Sequence, residues 1–259
     1  MQQAAIEELT RILSREQEVK AVFLKGSFGR GEGDPYSDID LYCLLNEEDV
    51  DLFLPKRLTL LSGYKEVLYS EELFIIAPQL IVVYDNLLHV DLFTVTEKTF
   101  KQSDYFHVLF DPDQVLEQFR SSQTLTMTKQ EYGDQMIDLI WFLFQYRKAA
   151  LRGNGVWAAA MLHQVLEPLA RMLLHHYCPQ QAQLGLKRVK QLLPQQIYNR
   201  FHEVLKNVTP EHHQKAATAI MQLLENEYSF IEEHLCGNER QEIYRLYQKL
   251  IIDKFLVNE

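Results

Sequence analysis

Apolar residues recur at helical spacing from the start of the chain. Ala5, Ile6, Leu9, Ile12 and Leu13 fall on one stripe and predict an amphipathic helix over residues 2–15. Two short, largely apolar runs, residues 19–25 and 39–45, read as strands. Residues 47–60 are predicted helical, Glu47 and Glu48 favouring the first turn and Pro55 breaking or kinking it. Residues 64–77 fit one strand or two. Residues 79–84 and 88–95 read as strands joined by the turn pair Asp85-Asn86. From Thr128 the texture changes, and helical periodicity runs through residues 130–152, 156–177, 184–193, 195–205, 211–234 and 239–256. Gly153-Asn154-Gly155, Cys178-Pro179, Thr209-Pro210 and Gly237-Asn238 punctuate these as caps and breaks. The expected division is α+β over residues 1–110 and all-helical over 128–259, with a linker at about 110–128.

Composition narrows the partners. A chain of 259 residues holds one large or two ordinary domains, and a net charge of −10 lacks the basic surface that long nucleic acid requires. The excess of acid suits a small, cationic substrate better. Cys43, Cys178 and Cys236 lie far apart, form no metal or redox pattern, and read as buried thiols of a cytoplasmic protein. Residues 1–18 have no apolar signal-peptide core, and no run approaches the ~18 apolar residues of a membrane span.

The densest chemistry lies between the first two strands. Residues 19–24 run into Gly26-Ser27, a glycine-rich turn follows, and Asp38 and Asp40 open the second strand. Alternate side chains of a strand share a face, so Asp38 and Asp40 point together and would repel without a cation between them. Mg²⁺ suits such a pair, because it takes a few carboxylates together with substrate phosphates. Glycines alongside let backbone N–H groups approach a phosphate without a Cβ in the way. A Walker-type phosphate loop is excluded, since no Lys-Ser or Lys-Thr follows the glycines at the required spacing. A dinucleotide fingerprint is disfavoured, because the loop leads into an Asp-x-Asp strand and not a long helix.

Gly26-Ser27, Asp38-Ile39-Asp40 and, as a third acid, Asp91 in Leu88-His-Val-Asp-Leu-Phe93 resemble the nucleotidyltransferase superfamily of DNA polymerase β type. The wording Gly-Ser-Phe-x-x-Gly-Glu-Gly-Asp-x-Tyr-Ser-Asp-Ile looks like the lincosamide nucleotidyltransferases and is similar to the aminoglycoside enzymes. The resemblance implies a small mixed sheet with flanking helices, followed by a helical substrate-binding and dimerisation domain. It also implies a nucleoside triphosphate, ATP first, and two Mg²⁺ ions on Asp38, Asp40 and Asp91. Gly26, Ser27 and Arg30 would hold the phosphates, and Asp91 would serve as metal ligand or general base, with His89 and Glu131 in reserve. In the similar aminoglycoside enzymes a lysine of the helical domain reaches the triphosphate. Arg147, Lys148 and Arg152 are the residues placed for it here, Lys148 foremost, although a helix C-terminus favours cations there anyway.

The expected reaction moves a nucleoside monophosphate to a hydroxyl of a small molecule, plausible acceptors being of the lincosamide type, in a pocket between the two halves of a homodimeric enzyme. Two other readings stand beside it: transfer to RNA or protein, as in tRNA tailing or toxin–antitoxin systems, and a non-catalytic nucleotide-binding relative. In the helical half, Trp141, Phe142, Phe144, Tyr146 and Trp157 read as core, with an edge free for stacking. His175-His176 and His212-His213 read as surface or capping residues, since adjacent helical side chains diverge by ~100° and cannot share one metal.

Overall fold

The predicted stripe forms: helix α1 (Gln2–Leu13) buries Ala5, Ile6, Leu9 and Leu13. Beneath it lies a sheet made of β1 (Ala21–Leu24), β2 (Ile39–Leu44), β3 (Val67–Phe74), β4 (Pro78–Tyr84), β5 (His89–Val95) and β6 (His107–Phe110), in the order β3-β4-β5-β2-β1-β6. β2 and β5 pair in parallel, and the other neighbours are antiparallel. The computed structural model describes residues 1–100, 103–235, 241–254 and 256. They fall into two compact units, Met1–Thr124 and Leu125–Glu259.

The pleat of β2 sorts its side chains. Ile39, Leu41 and Cys43 pack with the residues of α1, while Tyr42 and Leu44 join Phe23, Phe93, Val95, Phe100 and Phe106 on the other face. Asp40 and Asp91 share that second, aromatic face, where the Tyr42 and Phe93 rings stack with centroids 4.5 Å apart. Residues 47–61 are a broken helix. A 3₁₀ turn (Glu47–Asp49), α3 (Val50–Phe53), a second 3₁₀ turn holding Pro55 (Leu54–Lys56) and α4 (Arg57–Leu61) succeed one another. The ambiguous residues 64–77 hold one strand, β3. It is an edge strand whose Leu68, Tyr69 and Phe74 are exposed. Three elements were not expected: the one-turn helix α2 (Gly26–Gly29) in place of an open glycine turn, β6, and α5 (Glu117–Arg120).

The second unit is helical. Its core lies between α6 (Lys129–Leu151) and α7 (Gly155–Tyr177), joined by α8 (Val189–Leu192), α9 (Gln195–Asn207), α10 (His213–Asn226), α11 (Tyr228–Leu235) and α12 (Gln241–Tyr247). The helix expected over 184–193 is broken. A 3₁₀ segment, Pro179–Lys187, contains Gly185 at φ +52°, where a Cβ would lie 2.2 Å from a Glu167 carboxylate oxygen. The helix expected over 211–234 divides at Glu227 into α10 and α11. α12 ends in a π turn, Gln248–Ile252, while the expected Gly237-Asn238 break lies outside the described residues. Among the described residues no helix is long and apolar enough to cross a membrane.

Several side chains depart from expectation. Trp141 and Trp157 are about half exposed (49% and 53%), not core, whereas Tyr146 is buried. Cys43 is buried but Cys178 only half so, both as free thiols, and Cys236 lies outside the described residues. His175 is not a surface residue. Its ring packs against Tyr132 and His234, and its Nδ1 is buried. The neighbouring His176 pairs at 2.5 Å with Glu227, a buried carboxylate that also accepts from the Tyr177 hydroxyl at 2.8 Å.

α6 opens on a capping box. The Thr128 hydroxyl accepts from the Glu131 N–H at 3.1 Å, and the Glu131 carboxylate accepts from the Thr128 N–H at 2.7 Å. Thr128→Ala removes half of it and is expected to cost the helical unit about 1 kcal/mol. A lowered urea midpoint with unchanged slope is the measurement that checks this.

Candidate active site

At the end of β1 the chain makes a sharp entry into α2. Lys25 is extended, its N–H donating to the Asp40 carbonyl at 3.0 Å, and Gly26 then turns to φ +62°. The Gly29 N–H closes the turn on the Lys25 carbonyl at 2.9 Å, and the Glu32 N–H reaches the Ser27 carbonyl at 2.8 Å. Gly26 is required twice over. Its φ is left-handed, and a Cβ there would stand 1.9 Å from an Asp40 carboxylate oxygen. The Asp40 carboxylate therefore lies directly on the bare α-carbon of Gly26. Beside it the Ser27 Oγ is buried and has no hydrogen-bond partner among the described residues. A buried hydroxyl in that state wants an acceptor or donor from a ligand.

The parallel register sets Asp40 opposite Asp91. Two further side chains gather at the leading ends of β2 and β5: ligand atoms of Asp38, His89 and Asp91 all lie within 4.8 Å of one another. Asp91 is buried. Its Oδ1 accepts from the Gln79 amide at 2.9 Å and lies 3.2 Å from His89 Nε2. Two carboxylates and an imidazole at this separation form a donor set that can take a divalent cation. The expected trio of Asp38, Asp40 and Asp91 is thus distributed. Asp38 and Asp91 converge with His89, and Asp40 lies against the glycine turn. The negative field of the group is felt by Tyr42, whose hydroxyl is held protonated by burial first and then by Asp40, Asp104 and Asp91.

The cations near the turn are tied up. Arg30 donates from Nε to Glu32 at 2.9 Å and from Nη1 to Asp104 at 2.5 Å. Lys25 is 5% exposed. Its ammonium donates to the Ser103 carbonyl at 3.0 Å and to Gln123 Oε1 at 3.2 Å, and stands 4.8 Å over the Phe100 ring. Burial pushes its pKa down to about 8, against the pull of Asp104. Burial likewise raises the Asp104 carboxyl, with Arg30 opposing. Asp104 reaches Arg30 from a left-handed backbone at φ +67°. Gln79 and Lys25 could not be assigned from sequence, since each acts through partners distant along the chain. A polar residue second in the otherwise apolar β4 was the available signal for Gln79.

The remaining candidates belong to the second unit. The Lys148 ammonium lies 4.8 Å over the Phe144 ring and 6.0 Å over that of Trp141. Glu131 is committed to the cap of α6.

A mixed sheet that joins a glycine turn to strand-borne carboxylates is the arrangement of a nucleotidyltransferase domain. Residues 6–120 match the family model of the nucleotidyltransferase domain, and the chain carries that domain, as the Gly26-Ser27 and Asp38-Ile39-Asp40 resemblance implied. No curated protein matches the chain. Similar solved structures include a nucleotidyltransferase-like protein from Exiguobacterium sibiricum, at 14% identity and TM-score 0.43, covering 99% of this chain and 89% of that one. Another is an aminoglycoside 6-adenyltransferase from Bacillus subtilis, at 12% identity and TM-score 0.37, covering 95% and 97%.

Two outcomes follow from this geometry. Gly26→Ala must displace the Asp40 carboxylate and strain the left-handed turn, so it is expected to abolish activity and to destabilise the protein by about 1–3 kcal/mol. Unfolding curves and turnover of the same preparation measure both. For Lys25 the sign is fixed by linkage. Its folded pKa lies near 8, below its ordinary 10.5, so between those values the unfolded chain holds a proton the folded one lacks, and stability rises with pH. In metal-free protein, the stability of wild type relative to Lys25→Met should be flat below pH 7 and climb from about pH 8 to pH 10. A difference that stays level over that range would show that Lys25 keeps an ordinary pKa.

Proposed function

We propose that the enzyme transfers a nucleoside monophosphate, AMP from ATP, to a hydroxyl of a small molecule, with Mg²⁺ as the metal and a lincosamide-type antibiotic as a candidate acceptor. The observation that carries this reading is the convergence of Asp38, His89 and Asp91 within 4.8 Å, at the same strand ends where Asp40 meets Gly26.

The residues divide the work. The buried Ser27 hydroxyl, without a partner among the described residues, is the donor for a phosphate oxygen, helped by N–H groups of the first helical turn that have no partner within it. Arg30, already held by Glu32 and Asp104, offsets charge on the departing pyrophosphate, a role in which neighbouring carboxylates fix its orientation. Asp38, Asp40 and Asp91 are the carboxylates for metal, with the His89 imidazole as a further donor. Bound there, the divalent cation neutralises phosphate charge and polarises the acceptor hydroxyl. Asp91, oriented by Gln79 and His89, receives the hydroxyl proton. The acceptor oxygen bonds to the α-phosphorus as the bond to pyrophosphate breaks, and pyrophosphate leaves with the electron pair.

The first unit, in this reading, carries the catalysis, and the helical unit contributes to acceptor binding and to a homodimer in the cytoplasm. Exposed apolar side chains on the helical unit, Trp141, Val156 and Trp157 among them, support pairing of two copies.

Asp38→Asn and Asp40→Asn should each abolish transfer in a folded protein, because an amide keeps the shape and loses the charge. Asp91→Asn should bind Mg²⁺-ATP with near-native affinity in calorimetry and lose about 10²–10⁴-fold in rate. Release of pyrophosphate from labelled ATP in the presence of an acceptor reads the rate. Wild-type turnover in Asp40→Asn would remove the metal role given to it.

A further inference from the structure

The strand ends that carry Asp38 and His89 also open on a cavity of about 420 Å³, within the size range of small-molecule sites. Asp38 and His89 form part of its wall, with Gln2, Tyr36, Asn86 and Leu87, while Gly26, Ser27 and Asp40 do not line it. Two side chains of this wall have no place in the fold's own packing. Tyr36 is 95% exposed, yet the loop beneath it is fixed. Its N–H donates to Asp34 Oδ1 at 2.8 Å, the Ser37 hydroxyl donates to the same oxygen at 3.0 Å, and the Gln2 amide donates to the Pro35 carbonyl at 2.6 Å. Leu87 is 76% exposed and sits at φ +62° in the β4–β5 turn. Glycine or asparagine is the ordinary occupant of that conformation. The turn is closed by the Leu87 N–H on the Tyr84 carbonyl at 2.9 Å and the Leu88 N–H on Asn86 Oδ1 at 3.2 Å. A rigid loop thus holds an aromatic ring in water, and a strained turn holds an aliphatic side chain in water, both on one cavity. Strain and apolar exposure held in place by surrounding bonds point to a ligand.

We propose that this cavity is the acceptor subsite, with Tyr36 and Leu87 as the apolar surfaces that seat the ring face of a small polyhydroxylated molecule. The inference rests on the nucleotidyl-transfer reading above. In-line displacement puts the attacking oxygen and the leaving pyrophosphate on opposite sides of the α-phosphorus. With the phosphates at Ser27 and the Gly26–Asp40 contact, the cavity beside Asp38 and His89 offers the hydroxyl an approach from the other side of the carboxylates. The Asn86 side-chain amide N–H groups supply donors for the remaining hydroxyls. The competing occupant is the nucleotide base, stacked on Tyr36.

The full-length protein is tested with a lincosamide and an aminoglycoside as acceptor probes, using Tyr36→Ala and Leu87→Gly. Neither variant threatens the fold, since one side chain is solvent-exposed and the other substitution relieves a left-handed leucine. Binding is read by saturation-transfer NMR on the probe's ring protons, and turnover by pyrophosphate release with separate KM values for probe and ATP. Saturation of a probe by wild type that is lost in Tyr36→Ala, with probe KM raised about tenfold or more and ATP KM unchanged, is the expected result. An ATP KM that rises in step with that of the probe assigns the cavity to the base and overturns the proposal. So does equal probe binding by variant and wild type, or a wild type that binds neither probe. A probe that binds through Tyr36 while no pyrophosphate is released sinks the transfer reading and leaves the subsite standing.

Discussion

The parallel pairing of β2 with β5 is the constraint on which the site depends. Parallel neighbours start at the same rim of a sheet, so residues leading into both strands come out together. Asp38, at the head of β2, and His89, opening β5, meet there for that reason, and the register places Asp40 beside Asp91. An antiparallel pairing of the same two segments would send their leading residues to opposite rims. The crossover that makes the pairing possible is everything between the strands: the broken helix of residues 47–61 and the β3–β4 hairpin. β4 then lends Gln79 to hold Asp91.

A second constraint is the bare α-carbon of Gly26. Sheet and turn are brought close enough that a carboxylate occupies the volume a methyl group would take. The Lys25 N–H bond to the Asp40 carbonyl locks that approach from the backbone side. Beneath it the Lys25 ammonium gathers Ser103, Gln123 and the Phe100 ring. The carboxylate that pulls on this buried cation is Asp104, which is itself paired with Arg30, so the electrostatics here are a balance of Lys25, Asp104 and Arg30.

The parts of this arrangement written in local pattern were legible in the sequence. Alternation in residues 39–45 put Asp38 and Asp40 on one face, and Asp91 stood out as an acid inside an apolar strand. The helical texture after Thr128 marked the second half. What was not legible depends on distant partners. His89 reads from sequence only as a base in reserve, because its nearness to Asp38 requires the parallel register. β6 is four residues long and pairs with β1 across more than eighty positions of chain. The one-turn helix α2 reads as loop, since glycines carry no helical signal. Trp141 and Trp157 read as core from hydrophobicity alone, yet half of each faces solvent. The helix expected over 184–193 failed at Gly185, whose left-handed turn answers to Glu167 on another helix.

Strand β3 carries a consequence for the protein's behaviour in concentrated solution. It ends the sheet, so among the described residues its outward backbone groups have no strand beside them, and Leu68, Tyr69 and Phe74 stand exposed along it. Such an edge is a template for the strands of other molecules. Glu71 and Glu72 sit in its middle, and Arg57 holds Glu72 in an ion pair at 3.4 Å. Two like charges at the centre of the edge oppose its pairing with the same edge of another copy, where acid would face acid. Neutralising these two glutamates, by acidification or substitution, would remove that opposition and open a route to strand-to-strand aggregation.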